Sequence, residues 1–191
     1  LIDRIPELRD AGVYSFKLEG RMKRPEYVGV ITRAYREALN AAEAHVDYHP
    51  SKAVIEELRQ VFNRGGFTEG YVMSKSNAAL MSWERPSHWG ISVGRITATR
   101  GPLAQIHLTK TLNNGDGLQS RGQEETEFTY SGNDVSAGNE ATVRIASRQA
   151  HVGDEVFRLT DAAQMKAIRE IMEHEQVHIP LDMHLYAMPG K

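Results

Sequence analysis

The spacing of apolar residues divides the chain in two. Over the first sixty positions the spacing is mostly helical. Ile2, Ile5 and Leu8 share one face of a short helix, and Asp10-Ala11-Gly12 supplies a stop with glycine just past its end. Residues 13–18, Val-Tyr-Ser-Phe-Lys-Leu, follow the period of two that marks a strand. Pro25 suits a first helical turn. Tyr27, Val28, Ile31, Ala34, Tyr35, Ala38, Leu39 and Ala42 form a wide apolar stripe after it. Ser51 is placed to cap a further helix that carries Val54, Ile55, Leu58, Val61 and Phe62. The predicted order for this region is αβαα.

Helical periodicity stops near Asn63, where Gly65, Gly66 and Gly70 punctuate a loop. Beyond residue 88 short apolar runs alternate with turn signals. Strands are predicted at 91–99, 103–108, 127–130, 141–146 and 155–159. Gly101-Pro102 and Asn113-Asn114-Gly115-Asp116-Gly117 supply turns between them. Short strands at this spacing predict a small antiparallel β-barrel. Thr160 and Asp161 then cap a last helix with Ala162, Met165, Ile168, Ile171 and Met172 on one face. Pro180 bars its continuation, and residues 181–187 alternate again as a strand. The predicted class is α+β. Its divisions fall at 1–62 for the helical segment, 63–87 for a linker, 88–160 for the small barrel, and 161–191 for a helix and strand that open a further domain.

Composition narrows the choices. The chain has 191 residues, 40% hydrophobic and 25% charged, enough for one ordinary domain or two small ones. It carries 23 basic and 25 acidic side chains, a net charge of -2. That balance argues against a surface that is basic throughout, as in many nucleic-acid binders, but leaves room for a local patch. With no cysteine, disulfides, thiolate metal sites and iron–sulfur ligation are excluded within the chain. The same absence fits a reducing compartment, so a cytoplasmic location is expected. No apolar run reaches the roughly 20 residues needed to cross a bilayer, and no membrane partner is expected. The opening Leu1-Ile2-Asp3-Arg4 is unlike a signal peptide. It reads as the interior of a longer protein.

Two stretches carry a family resemblance. Phe16-Lys17-Leu18-Glu19-Gly20-Arg21-Met22-Lys23-Arg24-Pro25-Glu26-Tyr27-Val28 resembles the signature near the end of the barrel in the collagenase-like U-thirty-two peptidase family. Val61-Phe62-Asn63-Arg64-Gly65-Gly66-Phe67-Thr68-Glu69-Gly70-Tyr71 resembles a second segment of that family, in the right order and at the expected separation. Val156-Phe157-Arg158-Leu159-Thr160-Asp161 and Ile179-Pro180-Leu181-Asp182-Met183 resemble the entry to the extra domain of longer members. The resemblance implies a piece of a larger bacterial, cytoplasmic enzyme. Residues 13–18 would be the one strand left from an α/β barrel whose bulk precedes Leu1. Members of this kind carry a cysteine cluster in that bulk, linked in some to an iron–sulfur centre. The chain itself therefore needs no cofactor, and the cluster belongs to the parent. The family is known for peptidase or collagenase activity, and some members instead hydroxylate ribosomal or transfer RNA.

Three groups of residues are candidates for chemistry. Glu19 and Arg21, with Lys17 beside them, follow the predicted strand, where barrel active sites form. Glycine at 20 lets a ligand approach the backbone. Arginine can hold a carboxylate or phosphate in bidentate fashion, and glutamate can move a proton or orient that arginine. The competing reading is an ion pair that closes the loop. Asn63, Arg64, Gly65 and Gly66 offer backbone N–H groups for an anion, against a plain glycine-rich link between two regions. His174-Glu175-Gln176-Val177-His178 matches the H-E-x-x-H pattern of zinc proteases. Ile179 precedes a proline and leaves helical geometry, so the second histidine sits in a fraying turn. His174, Glu175 and His178 are read as a chance motif at a polar helix end, and no metal is assigned. Trp83 and Trp89 flank Arg85-Pro86-Ser87-His88 and are read as sealing the junction of two regions.

The expected function is therefore a C-terminal portion of a collagenase-like protein, accessory or substrate-positioning, and inactive alone. The alternative is an RNA-binding accessory region of an RNA-hydroxylating member. A third reading makes the small barrel a structural brace. Expected partners are the remainder of the parent barrel, a protein or RNA substrate, and another copy of the chain paired through the orphaned strand.

Overall fold

The structure is a computed structural model of the chain. It describes residues 1–67, 70–72, 85, 87–145, 150–174 and 180–190. A single 3-10 turn, Ile2–Arg4, leads into α1, Ile5–Asp10. Gly12, at φ +87°, ends it as the glycine pattern predicts: its N–H donates to Arg9 O, and the Val13 N–H donates to Leu8 O. Helix α2, Pro25–Glu43, starts on Pro25 and buries Val30, Ala34, Ala38 and Ala42 along one stripe. Helix α3, Lys52–Val61, is capped by Ser51, whose Oγ accepts the Val54 N–H at 3.2 Å.

Residues 13–18 depart from the expectation. They form no ladder, and among the described residues the backbone of residues 14–19 makes no backbone–backbone hydrogen bond. The period of two is nonetheless visible, since Phe16 packs on the helical core while Tyr14 is fully exposed and Leu18 is partly so. A strand needs a neighbour to satisfy its N–H and C=O groups, and no described segment pairs with the backbone of this one. Residues 181–187 likewise carry no ladder, and Leu181, Met183 and Leu185 are exposed.

The second region is a six-stranded antiparallel sheet. Its strands are β1 Ile91–Arg100, β2 Leu103–Leu108, β3 Gly117–Arg121, β4 Glu125–Thr129, β5 Glu140–Arg144 and β6 Glu155–Thr160. Their order is β4-β3-β6-β1-β2-β5. The barrel predicted from sequence is thus an open, curled half-barrel with β4 and β5 at its edges. Register shifts in β1, at Ser92/Gly94 against β6 and at Ile96/Ala98 against β2, supply the bends. Gly94 allows the closest approach, since a Cβ there would lie 2.3 Å from His107 O. Strands β2 and β5 bury alternate residues, Ala104, Ile106, Leu108 and then Ala141 and Val143, on a core that also holds Val93, Ile96, Leu118 and Val156.

Strand β3 has no counterpart in the sequence prediction, which placed a turn ending at Gly117. Its Leu118-Gln119-Ser120 run is buried throughout and lacks alternation. Gln119 is kept in place by Arg85, Arg121, Glu125 and Glu127. Helix α4, Ala162–His174, follows β6. The Asp161 carboxylate accepts the Gln164 N–H at 2.9 Å, as the predicted cap requires. Helix α4 returns to the first region: Ile168 is a member of the helical core, and Arg169 pairs with the buried Glu26 of α2. Gly29 makes that contact close, because a Cβ there would meet Ile168 at 2.8 Å. Among the described residues no helix is long and apolar enough to cross a membrane.

Candidate functional site

Glu19, Arg21 and Lys17 sit on the surface between the unpaired segment and α2. The Glu19 carboxylate accepts the backbone N–H of Arg21 at 3.0 Å and lies 3.7 Å from Lys17 Nζ. Its Oε1 thus closes a two-residue turn. The Arg21 guanidinium is not its partner. Lys17 and Glu19 are 87% and 66% exposed, so their ion pair adds little stability. Gly20 faces the next helix, where a Cβ would meet Val28 at 2.7 Å. Beside this segment lies a concavity of about 430 Å³ lined by Val13, Tyr14, Phe16, Leu18, Tyr35 and Leu39 among others. Neither Glu19 nor Arg21 lines it.

Asn63, Arg64, Gly65 and Gly66 occupy the turn after α3. Asn63 is buried, and its amide is fully engaged. Its Nδ2 donates to Arg59 O at 2.7 Å and to Gly90 O at 3.1 Å, while Oδ1 accepts the Gly65 N–H at 3.3 Å. Gly65 and Gly66 adopt φ +87° and +124°, values that suit glycine. Gly65 rests on the Trp89 ring, and a Cβ there would touch it at 3.1 Å. The Trp89 indole N–H donates to Arg85 O at 3.2 Å. Trp89 is therefore packed into the junction. Trp83 and Pro86 lie outside the described residues.

His88 completes this corner. The Asn63 N–H donates to its Nδ1 at 3.0 Å, and its Nε2 lies 3.1 Å from Gln60 O. The pair assigns a neutral ring with the proton on Nε2. Burial pushes the His88 pKa below its ordinary value. The ring stacks on Phe62 with centroids 5.5 Å apart. Lys23 Nζ lies 3.4 Å from the Phe62 centroid, and the guanidinium carbon of Arg64 lies 5.3 Å from it. Lys23 and Arg64, one from each resembling stretch, thus meet on one aromatic ring. Sequence spacing gave no sign of this, because the two are brought together only when α3 packs against α2.

A second cluster escaped the sequence reading altogether. Arg158 of β6 donates to Gln60 Oε1 at 2.8 Å and to Thr111 O at 3.0 Å, and it pairs with Asp116 at 3.3 Å and Asp161 at 2.8 Å. Gln60 Nε2 returns a bond to Arg158 O at 3.0 Å. Asp116 is fully buried and also accepts the N–H groups of Asn113 and Ala162. Burial raises its pKa against these donors. The cluster's bonds run between α3, the sheet and the start of α4, so its work is to lock the three together. His174, at the end of α4, places Nδ1 2.7 Å from Glu170 O. Glu175 and His178 lie outside the described residues. Among the described residues no group of three metal-ligating side chains converges.

Comparison with known proteins agrees with the two resembling stretches. The profile of the family described as peptidase family U32 matches residues 1–82. The chain is 31% identical over 118 residues to the 23S rRNA 5-hydroxycytidine C2501 synthase of Escherichia coli strain K12, covering 58% of this chain and 18% of that protein. It is 42% identical over 72 residues to a collagenase of Porphyromonas gingivalis, covering 37% and 20% of the two chains. It is 42% identical over 52 residues to the tRNA hydroxylation protein P2 of Bacillus subtilis strain 168, covering 27% and 17%. The chain thus spans about a fifth of the length of these relatives. No solved structure matches it significantly. By these matches, residues 1–82 of the chain are similar to peptidase family U32.

Proposed function

We propose that the chain is the portion of a U32 enzyme that follows the main body of the catalytic barrel, and that it positions substrate without performing chemistry alone. The observation that carries this reading is the bare segment 14–19. Its backbone makes no backbone–backbone hydrogen bond among the described residues, and it borders a 430 Å³ concavity edged by apolar side chains. Such an edge is a template for another strand. The remainder of the parent barrel is the partner that suits it, with Glu19 and Arg21 then facing the barrel's active end. An iron–sulfur cluster, where the parent has one, would be held by cysteines outside this chain.

The test is an assay of the purified chain against gelatin and casein. Ser92 Oγ donates to Glu155 Oε1 at 2.6 Å within the sheet, but among the described residues no histidine joins them in a triad, so no cleavage is expected. Robust cleavage lost on Glu19→Gln would overturn the accessory reading. A second reading, an RNA-binding accessory region, draws on the names of two relatives, which act on ribosomal RNA and in transfer RNA hydroxylation. It calls for salt-dependent RNA binding. Affinity no better than that of a neutral control protein would set it aside.

A further inference from the structure

The turn that follows Glu19 and Gly20 has a second side. Met22, held at φ +65° and almost fully exposed, turns the chain so that Lys23 and Arg24 enter a concavity of about 200 Å³. Tyr27 and Gln60 line it from α2 and α3, Thr160 from the end of β6 and Met165 from α4. It is separate from the larger concavity beside segment 13–18.

Its positive side chains make no salt bridge among the described residues, although the Arg24 charge is felt at Glu26. Lys23 and Arg64 crowd one ring, Phe62. Desolvation, and then the charge of Arg64, pull the Lys23 pKa down. The neighbouring carboxylates are committed elsewhere. Glu19 serves Lys17 and the Arg21 N–H, Glu26 pairs with Arg169, and Asp161 pairs with Arg158. Among the described residues Lys23, Arg24 and Arg64 form no ion pair. The N-terminus of α2 adds the positive end of a 19-residue helix but little direct donation. Its first residue is Pro25, and the Tyr27 N–H already reaches Arg24 O. A ligand here would be held by side chains.

We propose that this concavity is a phosphoryl-anion site. Lys23 and Arg24 supply the charge at the concavity, with Arg64 beside Lys23 across the Phe62 ring, and the hydroxyls of Tyr27 and Thr160 supply neutral hydrogen bonds. A compact tetrahedral anion with more than one negative charge relieves the crowding of like charges, which a single carboxylate does less well. Arginine adds directional donors, and lysine acts as a point charge. Burial, and then the charge of Glu19, raise the Tyr27 pKa, so its phenol stays a donor. The site goes beyond both functional readings above and stands whichever of them holds. The phosphoryl group has two possible sources, free phosphate or a small monoester, and the phosphodiester of a nucleic acid.

Calorimetric titration of the chain with inorganic phosphate tests it, at ionic strength held constant with chloride, alongside a short single-stranded RNA. Saturable phosphate binding is expected, weakened about tenfold or more in the Lys23→Gln, Arg24→Gln double variant. Lys23→Arg should retain most of the affinity, and Arg144→Gln, on the edge strand β5, should leave it unchanged. Circular dichroism of each variant confirms the fold. RNA that competes with phosphate and shares its sensitivity to the double variant identifies the phosphodiester as the source. Phosphate binding that RNA does not displace identifies the free anion or monoester. Either result supports the site. No saturable binding of either probe, or binding that the double variant leaves intact, overturns it.

Discussion

The sheet and the helical layer solve the same problem differently. Each β-strand finds its partners within residues 91–160, and among the described residues only the outer sides of β4 and β5 are unpaired. Its core is built from its own alternating residues, with Leu112, Tyr130 and Ile145 closing the ends. The helical layer is less self-sufficient. The stripe of α2 is mostly alanine, which lets neighbours approach closely, and one of those neighbours is Ile168 from far along the chain. Even with that borrowed helix, the backbone of segment 14–19 has no backbone partner among the described residues. The sheet is a finished unit, whereas the helical layer has one face that another structure can complete.

The largest effect should come from the cluster that joins the two. Asp116→Ala removes one of the two carboxylates paired with Arg158 and leaves the buried N–H groups of Asn113 and Ala162 without their acceptor, and is expected to cost about 3–5 kcal/mol. Both regions should lose stability together in urea, and unfolding of the helices alone would separate them. Next is Ile168→Ala, expected to cost about 3 kcal/mol through the cavity it leaves. Hydrogen exchange should then quicken in α2 while β1 and β2 stay protected. If the sheet loosened equally, the distinction between the regions would fail. Gly94→Ala forces a Cβ against His107 O and should cost about 2 kcal/mol, confined to the sheet.

The pH dependence sharpens the junction. The His88 pKa is lowered in the fold from 6.5. Below 6.5 the unfolded chain binds the proton first, so stability should fall as pH drops from 6.5 towards the folded pKa. His88→Gln should lose less stability than the wild type between pH 7.5 and 5.5, measured by urea midpoints. An equal loss in both would assign the acid sensitivity elsewhere. The smallest effect is expected for Tyr14→Ser. Fully exposed, Tyr14 should change the stability of the isolated chain by no more than about 0.5 kcal/mol.

Much of the fold was legible where signals are local. Gly12, Pro25 and Ser51 mark helix ends through their own backbone or side-chain chemistry, and Leu103–Leu108 shows its period of two in an uninterrupted run. Strand β3 was not legible because Gln119 and Ser120 are polar residues buried by tertiary partners. The return of α4 to the helical core was hidden for a related reason, since Ile168 looks the same on any amphipathic helix. The Arg158 cluster joins positions as far apart as Gln60 and Arg158, and no short pattern announces it. Of the candidate residues, Glu19 read as catalytic or as half of an ion pair closing the loop, and Asn63 as anion-binding or part of a glycine-rich link; in the structure each accepts a backbone N–H two residues on. Lys23 and Arg64 lie far apart in sequence, and only packing places both on Phe62.

Amide exchange in residues 14–19 tests the unfinished face most directly. It should be followed in the isolated chain and in a longer protein where the family barrel precedes it. Exchange close to that of an unstructured peptide is expected in the isolated chain, with slowing of about a hundredfold or more once the barrel is present. Exchange equally fast in both would contradict the account, because the segment would then not be the edge on which the barrel is completed.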